Sequence, residues 1–185
     1  DSMWLVNLTE NLLSITRIEN GTLPLRRDAE MIGDIFHEAL SHVDRRAAEH
    51  EIRVELEDDM LMANMDARLI VQAIINIVNN AVKYTPEGSD ICLSAKKENS
   101  MVRIEIADNG PGISDEAKQR LFDMFYTVNT GSAGADSRRG LGLGLSLCKS
   151  IVEAHGGSIT VHDNQPHGSV FSFTLPLEEV KIQNV

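Results

Sequence analysis

The chain has 185 residues, 42% of them hydrophobic and 24% charged, enough for one globular domain of roughly 150 residues plus a fragment and too few for a large multidomain enzyme. A formal charge of -11 argues against generic attraction to nucleic acid or to an anionic membrane surface. No apolar run approaches the roughly 20 residues of a membrane span and residues 1–20 lack the order of a signal peptide, so a cytoplasmic chain without membrane contact is expected.

The first predicted element is a helix on which Leu5, Leu8, Leu12 and Ile15 recur at steps of three and four, a coiled-coil-like seam. Asn20-Gly21 stops it, and residues 1–22 are expected to form an appendage outside the globular core. Leu23 to Asp28 reads as a short strand. Ile32, Ile35, Phe36, Ala39, Leu40 and Val43 then predict an amphipathic helix over about 29–49, with Ile52, Val54 and Leu56 alternating as a strand. A second helix over about 67–84 carries Ile70, Ile74, Ile77, Val78 and Ala81 on one face, and Thr85-Pro86-Glu87-Gly88 ends it. Ile91-Leu93-Ala95 and Val102-Ile104-Ile106 predict a hairpin or meander. After the turn cluster Asp108 to Gly112 come a short helix near 115–122 and a stretch from Thr127 to Gly140 with almost nothing to bury. A connection of about 14 residues is long for a compact domain unless it has a function. A helix then runs to His155, and Ser158–Val161 and Val170–Leu175 close the sheet. Cys92 and Cys148 sit singly inside apolar patterns, the pattern of buried free thiols and not of a disulfide or zinc framework.

Three groups of residues suggest chemistry. Asn76, Asn80 and Lys83 share the helix face opposite the apolar stripe. Such a trio is often a plain solvated face, but Asn is a mediocre helix former, an Asn oxygen ligates hard cations such as Mg²⁺, and Lys meets phosphate oxygens. Asp108 ends a strand, with Gly110 and Gly112 just beyond, so that a planar ligand can approach the backbone while the carboxylate accepts a hydrogen bond from an exocyclic amine such as that of adenine. Gly140, Gly142 and Gly144 precede a helix but follow a loop instead of a strand, which fails the context of a dinucleotide fingerprint. They still offer bare N–H groups and a helix N-terminus to an anion. With Arg138 and Arg139 upstream, they indicate a nucleoside triphosphate site closed by a loop.

Taken in order, these segments resemble the catalytic ATP-binding region of bacterial sensor histidine kinases, within the Bergerat-fold superfamily. Asn76 to Thr85 is similar to that family's N box, Asp108 to Ile113 to its first glycine box, Leu121 to Phe125 to its F box, and Gly140 to Leu145 to its second glycine box. The wording is closest to the potassium-responsive Kdp-type sensor kinases. The resemblance implies an α+β fold, a two-layer sandwich with a mixed sheet of about five strands covered on one face by about three helices. Part of a helical hairpin precedes it: residues 1–22 as second helix of a truncated dimerisation hairpin, 23–177 as the ATP-binding domain and 178–185 as a tail. It implies Asn80 as the Mg²⁺ ligand, Asn76 and Lys83 on the phosphates, Tyr84 lining the pocket and Asp108 on the adenine amino group. Gly110, Gly112, Ile113, Phe125, Arg138, Arg139, Gly140, Leu141, Gly142, Leu143, Gly144 and Leu145 complete the ATP site, and 126–139 form its lid.

No residue of this chain is expected to be catalytic in the strict sense. The family's phosphoacceptor motif is missing, and His37 and His42 lack its proline, so both read as helix-surface histidines. The implied partners are the dimerisation hairpin of a homodimeric full-length kinase and a response regulator, with ATP and Mg²⁺ as cofactors. Two alternatives remain open: a Bergerat-fold ATPase, against which stands Asn76 at the position of the general-base Glu, and a non-catalytic nucleotide-binding module.

Overall fold

The computed structural model describes residues 2–126 and 144–179, with side chains throughout except at 2–5, 7 and 8. Helices α1 (Ser2–Glu19), α2 (Ile32–Leu40), α3 (Ala67–Tyr84), α4 (Asp115–Lys118) and α5 (Gly144–Ala154) alternate with strands β1 (Asp28–Met31), β2 (Glu51–Leu56), β3 (Met62–Met65), β4 (Asp90–Glu98), β5 (Met101–Asp108), β6 (Ile159–Asp163) and β7 (Ser169–Glu178). The seven strands form one mixed sheet in the order β1-β3-β7-β5-β4-β2, with β6 also on β7. Among the described strands only β2 and β4 run parallel; their crossover contains α3, as a parallel pair requires. The expected two-layer sandwich is the architecture found.

α3 buries Ile70, Ala73, Ile74, Ile77, Val78, Ala81 and Val82, and α5 buries Leu147, Cys148, Ile151 and Val152. Both meet the alternate residues Ile91, Leu93, Ile104, Ile106, Phe171 and Phe173 of the central strands in one core. At roughly 25 cal/mol per Å² of apolar surface, each such side chain contributes on the order of 2 kcal/mol. Burying one face of α3 leaves Asn76 and Asn80 on the other.

The structure corrects three expectations. Ala29–Met31 is strand and not helix, because its backbone pairs antiparallel with Met62–Met65, so α2 starts only at Ile32. That helix also ends at Leu40, and a separate 3-10 turn, Arg45–Glu49, follows, capped by Asp44 Oδ1 accepting the Arg46 N–H at 2.9 Å. Residues 23–27 form no strand: the Arg26 N–H donates to Asp66 Oδ2 at 3.0 Å and the Arg27 guanidinium to Ala154 O at 2.7 Å, which pins this segment across two helix ends. α1 packs against α5 and is more than an appendage, since Ile15 is 2% exposed and joins the core. Leu12 and Leu13 face outward; the seam residues Leu5 and Leu8 lie outside the described side chains.

His37 and His42 are exposed, the latter 3.0 Å from Glu38, as surface histidines should be. No described helix is long and apolar enough to cross a membrane. His155 is different. It is fully buried, donates from Nδ1 to Ile151 O at 2.7 Å and accepts the Asp66 N–H on Nε2 at 3.0 Å, the pattern of a neutral ring. Burial holds its pKa below the usual imidazole value, against the opposing pull of the Ile151 carbonyl. The unfolded chain therefore takes up a proton near pH 6.5 while the folded chain resists it. Stability is expected to be greatest above that pH and to fall on acidification until the depressed native value is reached. Urea unfolding between pH 7.5 and 5 measures this, and His155→Gln should flatten the slope while lowering stability throughout.

Candidate functional site

The site is a cleft between α3, the C-terminal end of β5 and the start of β7. Its lining is Asn80, Ala81, Tyr84 and Thr85 from the end of α3, Asp108, Pro111, Gly112 and Ile113 after β5, and Leu121, Leu145, Ser169 and Phe171. The walls are chiefly apolar, with few polar groups converging.

Asp108 is the charged one among these and is buried, 7% exposed. Its Oδ1 accepts the Gly110 N–H at 3.0 Å and the Ser169 N–H at 3.3 Å, while Oδ2 has no hydrogen bond among the described residues. Burial raises its pKa above the usual carboxylate range, and the two amide donors oppose that rise. A ligand N–H donated to the second oxygen would offset the desolvation that remains. The turn leaves no room for a side chain at Gly110, where a Cβ would lie 2.5 Å from Thr85 Cγ2. Thr85 Oγ1 donates to Ala81 O at 2.7 Å and sits 2.8 Å from His50 Nε2, which fixes the wall.

At the other end, Asn80 lines the cleft and Asn76 lies one helical turn before it. Asn76 Oδ1 accepts from Gln72 at 3.0 Å, but Nδ2 is buried with no hydrogen-bond partner among the described residues. It neighbours Cys148, whose thiol burial pushes up to about 12, with the Asn76 amide opposing. The start of α5 faces this amide, a Cβ on Gly144 falling 4.0 Å from Asn76 Cγ. An orphaned buried donor opposite a helix N-terminus suits an anionic ligand. Asn79 points elsewhere and accepts the Asp44 N–H at 2.8 Å, a structural role. No cluster of three or more His, Cys, Asp or Glu able to hold a metal occurs among the described residues; a cation here would rely on the Asn80 amide oxygen together with oxygens of a ligand and water, which Mg²⁺ accepts.

The predicted residues thus separate into groups. Asn80, Tyr84, Asp108, Gly112, Ile113 and Leu145 line the cleft; Asn76, Gly110 and Gly144 stand behind its ends; and Lys83 lies beside Tyr84, its Nζ 5.4 Å from the ring centroid. Phe125 is not brought in: it is 57% exposed, with a φ of 66°. Its neighbours Leu121, which lines the cleft, and Phe122, edge-on to Phe171 at 6.3 Å, face inward instead. Arg138, Arg139, Gly140, Leu141, Gly142 and Leu143, and most of the proposed lid, lie outside the described residues, as does the tail after Glu179. Sequence reasoning missed Ala81, Thr85, Pro111, Leu121, Ser169 and Phe171 as lining. The alternation of β7 marked Phe171 only as core, and nothing local marks Ser169.

Residues 65–179 match the family of histidine kinase-, DNA gyrase B- and HSP90-like ATPases. The chain is 42% identical over 178 residues to sensor protein KdpD of Clostridium acetobutylicum, covering 96% of this chain and 20% of that protein. With sensor protein KdpD of Escherichia coli it shares 32% over 169 residues, 91% of this chain and 18% of that one. It therefore spans about a fifth of the length of these curated relatives. Among solved structures, the catalytic domain of histidine kinase ThkA superposes with a TM-score of 0.70 at 27% identity, over 83% of this chain and 96% of that one. Full-length ShkA in complex with AMPPNP superposes at 0.80 and 27%, over 95% and 36%.

Proposed function

This chain belongs to the family of histidine kinase-, DNA gyrase B- and HSP90-like ATPases, and on that premise we propose that it is the ATP-binding catalytic domain of a sensor histidine kinase of Kdp type. It binds Mg-ATP in the Asp108 cleft and presents the γ-phosphate to a histidine on a dimerisation hairpin, for relay to a response-regulator aspartate. The observation that carries this reading is Asp108: a buried carboxylate with one oxygen held by two backbone amides and the other left for the 6-amino group of adenine. Tyr84, Ile113 and Phe171 supply flat apolar walls for the base.

Phosphates extend toward Asn80, the Asn76 Nδ2 donor and the N-terminus of α5, where Leu145 and Gly144 begin the helix. Asn80 is the residue that would hold Mg²⁺, which when bound neutralises phosphate charge. The protein's part is positioning. Among the described residues lining the cleft, Asp108 is the one carboxylate, and its place at the base end leaves none of them to activate water. That favours transfer over the hydrolytic alternative. Neither His37 nor His42 is the acceptor; α1 supplies the second helix of the hairpin, through which two copies of the full kinase pair in the cytoplasm.

Titration calorimetry with ATP and GTP, with and without Mg²⁺, followed by phosphotransfer to a supplied hairpin, tests the proposal. Mg-dependent ATP binding and acid-labile phosphate on the hairpin support it, whereas steady hydrolysis with no transfer would favour the ATPase alternative. Asp108→Ala is expected to weaken ATP by about 1.5–3 kcal/mol through loss of a charge-assisted hydrogen bond. GTP affinity, already low for want of the amine, should hardly change.

A further inference from the structure

The connection between β6 and β7, Asn164 to Gly168, makes three separate contacts with the segment that carries Asp108. Asn164 Nδ2 donates to Asp108 O at 2.8 Å, across 56 residues of sequence. His167 Nδ1 lies 3.1 Å from Gly110 O, which can only accept, so the ring donates there. Gly168 packs so closely that its backbone φ is 115° and a Cβ would fall 1.9 Å from Asp108 O. The next residue, Ser169, supplies the amide that holds Asp108 Oδ1 at 3.3 Å. The turn is itself braced, with the Asn164 N–H donating to Gly168 O at 3.0 Å and its Oδ1 accepting the Gln165 N–H at 2.9 Å. Lys118 anchors the preceding strand, its Nζ 2.6 Å from Asp163 and 2.9 Å from Asp115 at the start of α4.

Neither Asn164 nor His167 lines the nucleotide cleft. Both instead grip backbone carbonyls on either side of Asn109, the peptide stretch whose orientation decides where the free Asp108 oxygen points. We propose that Asn164 and His167 are positioning residues for base recognition: the β6–β7 turn clamps the Asp108–Gly110 backbone and thereby sets the selectivity for a 6-amino purine over a 6-oxo purine. This rests on the nucleotide reading above. A clamp of this kind acts on the hydrogen bond donated by the 6-amino group, which guanine lacks, and leaves stacking and phosphate contacts, which both nucleotides share, untouched.

The test is the ratio of ATP to GTP affinity, measured by competition on the full 185-residue chain for the parent, Asn164→Ala, His167→Ala and His167→Asn. Comparing two nucleotides on one variant cancels any shared loss of folded protein. Each alanine variant should lower the ratio about three- to tenfold, the worth of one hydrogen bond. His167→Asn, whose Nδ2 stands where the ring Nδ1 did, should recover the parent ratio within about twofold. An unchanged ratio in the alanine variants, equal weakening of both nucleotides, or an asparagine variant as poor as alanine would each overturn the assignment. A parent that binds ATP no better than GTP would instead overturn the adenine reading of Asp108 and the clamp with it, and the parent titration alone separates that failure from the others.

Discussion

Asn80→Ala is expected to abolish the contribution of Mg²⁺ to triphosphate binding, weakening Mg-ATP by about a hundredfold or more while leaving metal-free ATP within a few-fold of the parent. Few protein ligands are available: the described residues hold no acidic or histidine cluster, and Mg²⁺ bound by one or two protein groups plus phosphate oxygens depends on each of them. Asn80 lies off the buried stripe of α3, so its truncation removes no core contact, and the urea midpoint should move little. Calorimetry at two Mg²⁺ concentrations measures the effect; equal Mg-dependence in variant and parent would remove Asn80 from the metal site.

Gly168→Ala should be severely damaging for a single added methyl group. At φ 115° an L side chain is strained in any surroundings, and here the new Cβ would meet the Asp108 carbonyl oxygen at 1.9 Å, backbone against backbone. Either the β6–β7 turn or the end of β5 must move. The expected cost is about 3 kcal/mol or more of stability, together with loss of detectable ATP binding in whatever fraction stays folded. Denaturant unfolding and nucleotide titration on the same sample measure both. A variant of parental stability would show that the turn yields easily.

The long periodic elements were legible. α3 declares itself by Ile70, Ile74, Ile77, Val78 and Ala81 at helical spacing, all of them buried, and that pattern alone puts Asn76 and Asn80 on the far face. Asp108 was legible because the alternation of β5 stops at it and a glycine-rich turn follows. What escaped depends on distant pairing. β3 is four residues long, too short for alternation to register, and β1 becomes strand only by pairing with it. The run of apolar residues from Ile32 to Val43 suggested one long helix, though Asp44 caps a new 3-10 turn there. Ile15 looked like part of an external seam, since no local signal tells which face of α1 will meet α5. Asn164 and His167 escaped altogether; their partners lie 56 and 57 positions earlier, and nothing in the turn itself names them.

The cleft is assembled from five stretches of chain, beginning at Asn80 and ending at Phe171. Almost half the polypeptide must therefore be in place before any one wall has its counterpart. Topologies dominated by such remote contacts pay loop-closure entropy early and fold slowly. A nascent chain gains no recognition surface until β7 has been made and inserted between β3 and β5. By mass action, the same arrangement makes an occupant a global stabiliser: at a hundred times its dissociation constant it adds about 2.7 kcal/mol to the unfolding free energy. In a cell holding abundant nucleotide, survival against proteolysis would then depend on occupancy as much as on the core.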